Sequence, residues 1–114
     1  KKEHFENYKK RIKIILDEFG YDLDDRNLYK ELSIFSDKYD ISEETSRINY
    51  HIEKFNSNIK EEEHPGKKLN FLCQELFREI NTIGSKSNNA VISSLVVEFK
   101  TYLEKIREQV QNIL

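Results

Sequence analysis

Two glutamates one helical turn apart, Glu75 and Glu79, with Arg78 beside them, are the residues best spaced for chemistry. Side chains four apart on a helix lie one above the other, so both carboxylates can reach one hard cation. A guanidinium in the same row can hold a phosphate through two parallel hydrogen bonds. At about 100° per residue, Lys68, Glu75, Arg78, Glu79 and Thr82 share a face with Phe71 among them. Asn70, Gln74 and Asn81 make a polar line along its border, able to hydrogen-bond a polar ligand or to bridge neighbouring helices. The same pattern also describes a solvated face with intrahelical ion pairs of small value.

A second group stands at Glu44, Arg47 and His51, at steps of three and four. An imidazole there can ligate a metal or act as a general acid or base. Because His51 borders the apolar stripe near Phe55, a satisfied boundary histidine is the plainer alternative. Glu61 and His64 have the Glu-x-x-His spacing of di-iron bundles, but one copy running into Pro65 does not make such a site. His4 has no partner in the pattern. Cys73, the single cysteine, permits no internal disulfide; it lies on an apolar arc and reads as core. No P-loop, glycine-rich dinucleotide fingerprint or H-E-x-x-H motif occurs.

The elements that must position these residues are helices. The chain has 114 residues, enough for one domain, and 35% are charged with only 3 Gly and 1 Pro. Seven Phe and 6 Tyr supply large apolar area for a core. The longest nearly apolar run, 90–99, is too short and too polar to span a bilayer. No stretch reads as a signal peptide, and the lone cysteine fits a reducing, cytoplasmic setting.

Five helices are predicted. The first covers Glu3–Phe19, with Phe5, Tyr8, Ile12, Ile15 and Phe19 in one stripe and Gly20 as its stop. Asp24 or Asp25 caps a second, with Leu28, Leu32, Phe35 and Tyr39 inward. Asp40 to Glu43 has the form of a capping box, with Asp40 as the cap of a third helix whose stripe is Ile48, Ile52, Phe55 and Ile59. Pro65 breaks the pattern and forces His64 out of the helical region. The fourth helix spans about Lys67–Ile83 on Leu69, Leu72, Cys73, Leu76, Ile80 and Ile83, and 84–89 reads as a turn. The last runs from about Ala90 to the end on a wide arc from Val91 to Ile113, wide enough to meet several neighbours, another subunit included. The fold expected is all-α: an antiparallel bundle of about five helices with a long C-terminal helix.

The net charge of -2 argues against a simple basic nucleic-acid binder. Residues 1–64 carry 12 Lys and Arg against 16 Asp and Glu, whereas 65–114 carry 7 against 5. A polyanion is therefore expected on the second half.

The stretch Gly66–Lys86, GKKLNFLCQELFREINTIGSK, resembles the signature of the YicC family. Glu104–Ile113, EKIREQVQNI, resembles its closing segment, and Asp40–Glu44, Arg47, His51 and Phe55 fit more loosely. The likeness is dense over 66–113, moderate over 40–65 and poor over 1–39. The chain then reads as a single helical domain, 1–114, from the C-terminal part of a longer protein. The resemblance implies a bacterial, cytoplasmic endoribonuclease. It also implies a divalent metal (typically manganese), an N-terminal domain in the same protein, and a homo-oligomer, hexameric in the family.

Carried over, the family's polar motif falls on Arg47, His51, Lys67, Gln74, Glu75, Arg78, Glu79, Asn81, Thr82, Ser85 and Lys86. It continues at Glu104, Arg107, Glu108, Gln109 and Asn112. Asn70 stands where the family pattern has Asp, which removes a carboxylate, and Leu114 where it has Glu. The mechanism this implies has Glu75, Glu79 and His51 holding the ion, which polarises the scissile phosphate or lowers the pKa of a bound water. Arg78 and Arg47 neutralise phosphate charge. Lys67, Lys68 and Lys86 contact the RNA backbone, joined by Gln74, Asn81 and Thr82. A metal-free route with His51 as base on the 2′-hydroxyl is the variant. The competing class is a non-catalytic oligomerisation or RNA-adaptor module, with the chemistry in the N-terminal domain.

Overall fold

The computed structural model describes residues 27–61 and 65–112, together with positions 6, 7, 10, 11 and 14. Four helices form: α1, Asn27–Ile34; α2, Ser42–Glu61; α3, Gly66–Lys86; and α4, Ala90–Gln111. The all-α expectation holds, with four helices among the described residues where about five were expected. Positions 6, 7, 10, 11 and 14 are helical. The rest of the first predicted helix, the caps Asp24 and Asp25, His64 and Ile113 lie outside the described residues.

Helix α3 is central. It packs on α2 along one side and on α4 along the other, while α1 rests on α2 and α4. Its predicted arc explains this place: Leu69, Leu72, Cys73, Leu76, Ile80 and Ile83 are all buried. Each fully buried side chain of this size contributes about 1.5–3 kcal/mol relative to exposure. On α4 the wide arc is taken up inside the domain, with Ile92, Leu95, Val96, Phe99, Leu103, Ile106 and Val110 buried. Val91, at its edge, is 52% exposed.

Two local features depart from the expectations, and both affect the site. Asp40 is not the cap of α2. Its φ is 56°, the left-handed region that Asp enters more readily than most residues. It ends the turn 35–40, in which the Ile41 amide donates to the Ser36 carbonyl at 2.9 Å, and α2 starts at Ser42. Helix α3 also continues through Gly84, Ser85 and Lys86, which were expected in a turn. Three residues, 87–89, then suffice to reach α4. The cap of α4 is Asn89, whose side-chain oxygen accepts from the amides of Val91 at 2.9 Å and Ile92 at 3.0 Å.

Candidate functional site

The start of α2 meets the end of α3, so the two helices run antiparallel. Arg47 Nε donates to Glu79 Oε1 at 2.9 Å. The same guanidinium lies 3.5 Å from Glu43 and 3.6 Å from Glu44. Lys86 Nζ donates to Glu44 Oε2 at 2.9 Å and to the Asp40 carbonyl at 3.2 Å. Two cations thus tie three carboxylates and one carbonyl across the helix pair.

Two of those carboxylates, Glu44 and Glu79, are 3% and 7% exposed. A buried carboxylate is costly unless it is paired. Burial pushes the Glu44 carboxyl upward, but the Lys86 hydrogen bond, a backbone hydrogen bond and the charges of Lys86 and Arg47 outweigh it. The net position is below the ordinary carboxylate value. The hydrogen bond to Glu79 raises Arg47, and that to Glu44 raises Lys86, so both stay protonated. The network is not fully satisfied: Glu44 Oε1 and Glu79 Oε2 are buried without a hydrogen-bond partner among the described residues.

This arrangement divides the row of carboxylates. Glu79 is engaged by Arg47, while Glu75, one turn earlier, is half-buried. One turn beyond Arg47, His51 comes to the level of Glu75 by the antiparallel register. Its Nδ1 is buried without a hydrogen-bond partner among the described residues, and its ring stands edge-on to Tyr50 with centroids 5.7 Å apart. Among the described residues no group of three or more His, Cys, Asp or Glu side chains is placed to hold a metal ion. Glu75, Glu79 and His51 therefore do not form a ligand set by themselves.

Beside this network runs a shallow, largely open groove along α3, lined by Gln74, Phe77, Arg78, Asn81, Thr82, Ser85 and Lys86. All seven come from α3, because the helix continues past Ile83. No carboxylate is among them. Thr82 Oγ1 donates to the Arg78 carbonyl at 3.0 Å, and the Arg78 guanidinium has no partner among the described residues. Of the expected RNA contacts, Gln74, Asn81, Thr82 and Lys86 gather here around Arg78. Lys67 and Lys68 are exposed at the far end of the helix, outside the groove. Phe71, 57% exposed, lies between on the same face.

The family described as endoribonuclease YicC-like, C-terminal, matches residues 1–114. The chain belongs to this family. It is 43% identical over 111 residues to the probable endoribonuclease YicC of Clostridioides difficile strain 630, a match covering 95% of this chain and 38% of that protein. With the protein of the same name from Haemophilus influenzae it shares 38% over 91 residues, 80% of this chain and 32% of the relative. The chain thus spans roughly a third of the relatives it matches.

Within this YicC-like domain the stretch whose order carried the resemblance, 66–86, is α3 itself. Asn70 accepts from Gln111 Nε2 at 2.9 Å and bridges α3 to α4, a bond that the Asp expected there from the resemblance would also accept. In the closing segment Arg107 pairs with Glu104 at 3.0 Å. Cys73 is core: burial pushes its thiol up to about 12, which leaves it protonated and unreactive. Spacing groups Glu44 with Arg47 and His51, but no local pattern contains its bond to Lys86 or that of Lys86 to the Asp40 carbonyl. The step of three from Glu44 to Arg47 was the available signal, but burial at that position is set by packing.

Proposed function

We propose that this domain holds RNA for an endoribonuclease, along the α3 groove, and that the cleavage site is completed by parts of the protein outside the described residues. The observation that carries this reading is the Arg78 guanidinium, without a partner among the described residues, in a groove whose lining of Gln74, Phe77, Asn81, Thr82, Ser85 and Lys86 includes no carboxylate. Such a surface suits a phosphodiester backbone with hydrogen-bonding groups beside it. The names of the relatives supply the substrate class.

The domain's own residues bind and orient. Arg78 meets a phosphate, Lys86 a second, and Gln74 and Asn81 offer both donors and acceptors. Arg47 faces carboxylates on three sides, which makes it first a structural cation. A divalent ion, manganese by resemblance, would supply charge neutralisation at phosphate. Glu75, Glu79 and His51 do not fit it as a complete ligand set. Homo-oligomeric assembly belongs to this proposal as well, since Tyr50, Phe71 and Val97 are each more than half exposed.

The test is RNA binding and cleavage by the full-length protein. Arg78→Ala is expected to weaken binding and to lower the slope of log affinity against log salt by about 0.7 on a single-stranded probe. Glu75→Gln with Glu79→Gln, measured with manganese and with chelator, is expected to change folding stability more than cleavage. Loss of manganese-dependent cleavage in a folded double variant would return the chemistry to this helix.

A further inference from the structure

We infer that Glu44 is a positioning residue for the groove: with the Asp40 carbonyl it fixes the Lys86 ammonium on the rim, one donor left for an RNA phosphate. The inference rests on the groove being the RNA site.

An ammonium carries three N–H donors. Two are directed inward, to Glu44 Oε2 at 2.9 Å and the Asp40 carbonyl at 3.2 Å. The third remains, and the Lys86 side chain, 40% exposed, lines the groove. A lysine stem is flexible, and ordering it on a ligand costs conformational entropy. Here the ordering has already occurred in the free protein.

The holding groups are themselves fixed. Glu44 sits in the first turn of α2 with its side chain 4% exposed, where an acidic group also meets the positive end of the helix. Asp40 holds a left-handed backbone at φ 56°, and its carbonyl accepts from Lys86. Glu44 lies beneath the two cations, 3.6 Å from Arg47, and does not line the groove. It acts through Lys86 and touches no RNA.

The sign of one substitution separates this role from a merely structural one. Glu44 is a negative charge close to a polyanion site, so neutralising it should by itself tighten RNA binding. A positioning role gives the opposite sign.

The measurement is affinity of the full-length protein for a 2′-O-methylated single-stranded oligoribonucleotide, at two salt concentrations. Glu44→Gln is expected to weaken binding about threefold to tenfold, the size of one partly exposed charge contact. Lys86→Ala should weaken it equally, and the double variant should bind no worse than Lys86→Ala alone. Glu44→Asp keeps the charge but shortens the anchor, and should weaken binding in the same direction. Affinity that is unchanged or tighter in Glu44→Gln, or unchanged in Glu44→Asp, overturns the inference. Arg78→Ala separates the two readings: if it weakens binding while the Glu44 and Lys86 variants do not, the inference alone fails. If none of them weakens binding, the groove reading fails with it.

Discussion

Arg47 shows how one residue's role depends on its partners. From its spacing to Glu44 and His51 it is a candidate phosphate ligand. Against Glu43, Glu44 and Glu79 it is the cation that makes two buried carboxylates tolerable. The pH dependence follows from Glu44, whose folded pKa lies below the ordinary value of 4.5. Its contribution to stability is complete above that value and is lost as pH falls through the folded pKa. The raised Lys86 describes the same pair from the other side, lost only as pH rises past its folded value above 10.5. Thermal unfolding from pH 7 to pH 3 should therefore show Glu44→Gln less stable than the parent at neutrality, with the gap closing in acid. A gap constant with pH would mean that the lost packing, not the charge, matters. The pairing of Glu43 and Glu44 with Arg47 was legible as a three- and four-residue spacing. The bond to Glu79 joins residues 32 apart, and no local pattern contains it.

At the scale of elements, the C-terminal end of α3 decides which residues line the groove. Gly84 reads as a stop in one dimension, yet the helix runs through it. The packing is not so tight that only glycine fits: a Cβ on Gly84 would stand 3.6 Å from Val96 Cγ1, an ordinary contact. Gly84→Ala should therefore stabilise the domain by about 0.5–1 kcal/mol in chemical denaturation, the difference in helix propensity. A loss of stability would show that the end of α3 needs glycine's freedom. Just beyond it, Asn89 takes two amides at the start of α4, and Asn89→Ala should cost about 1 kcal/mol by the same assay. The central turns of α2, α3 and α4 were legible because their apolar residues recur every three or four positions. The ends were less so. Asp40 has the composition of a cap, but the turn before it places it in the left-handed region instead.

For the whole molecule the question is whether the domain closes its own core. Phe99 on α4 is fully buried, and Leu103 and Ile106 one and two turns on are buried with it. Phe99→Ala should cost about 3–5 kcal/mol, read from the denaturation midpoint at unchanged slope. A much smaller cost would mean that this face of α4 is completed by another subunit or domain. Most of the wide arc that suggested an interface is satisfied within the chain, against α3 and α1, while Val91 at its edge stays 52% exposed. No helix among the described residues is long and apolar enough to cross a membrane. The large apolar groups still exposed outside that arc, among the described residues, are Ile14, Ile34, Tyr50, Phe71 and Val97.

The sequence by itself determined that this is an all-α domain, which residues of α2, α3 and α4 face inward, and that it belongs with the YicC-like family. Each of these depends on local periodicity or on residue order, both of which a linear chain carries. It also brought Gln74, Arg78, Asn81 and Thr82 forward along one helix, while Lys86, read in the turn beyond that helix, came forward through the family resemblance alone. Only the tertiary structure decided that Glu79 is tied to Arg47 while Arg78 has no partner among the described residues, and that Glu44 and the Asp40 carbonyl hold Lys86. Those outcomes depend on the register of α2 against α3. That register is set by apolar packing along the whole helix pair, and residues 32 to 46 positions apart carry no sign of it in their own neighbourhoods.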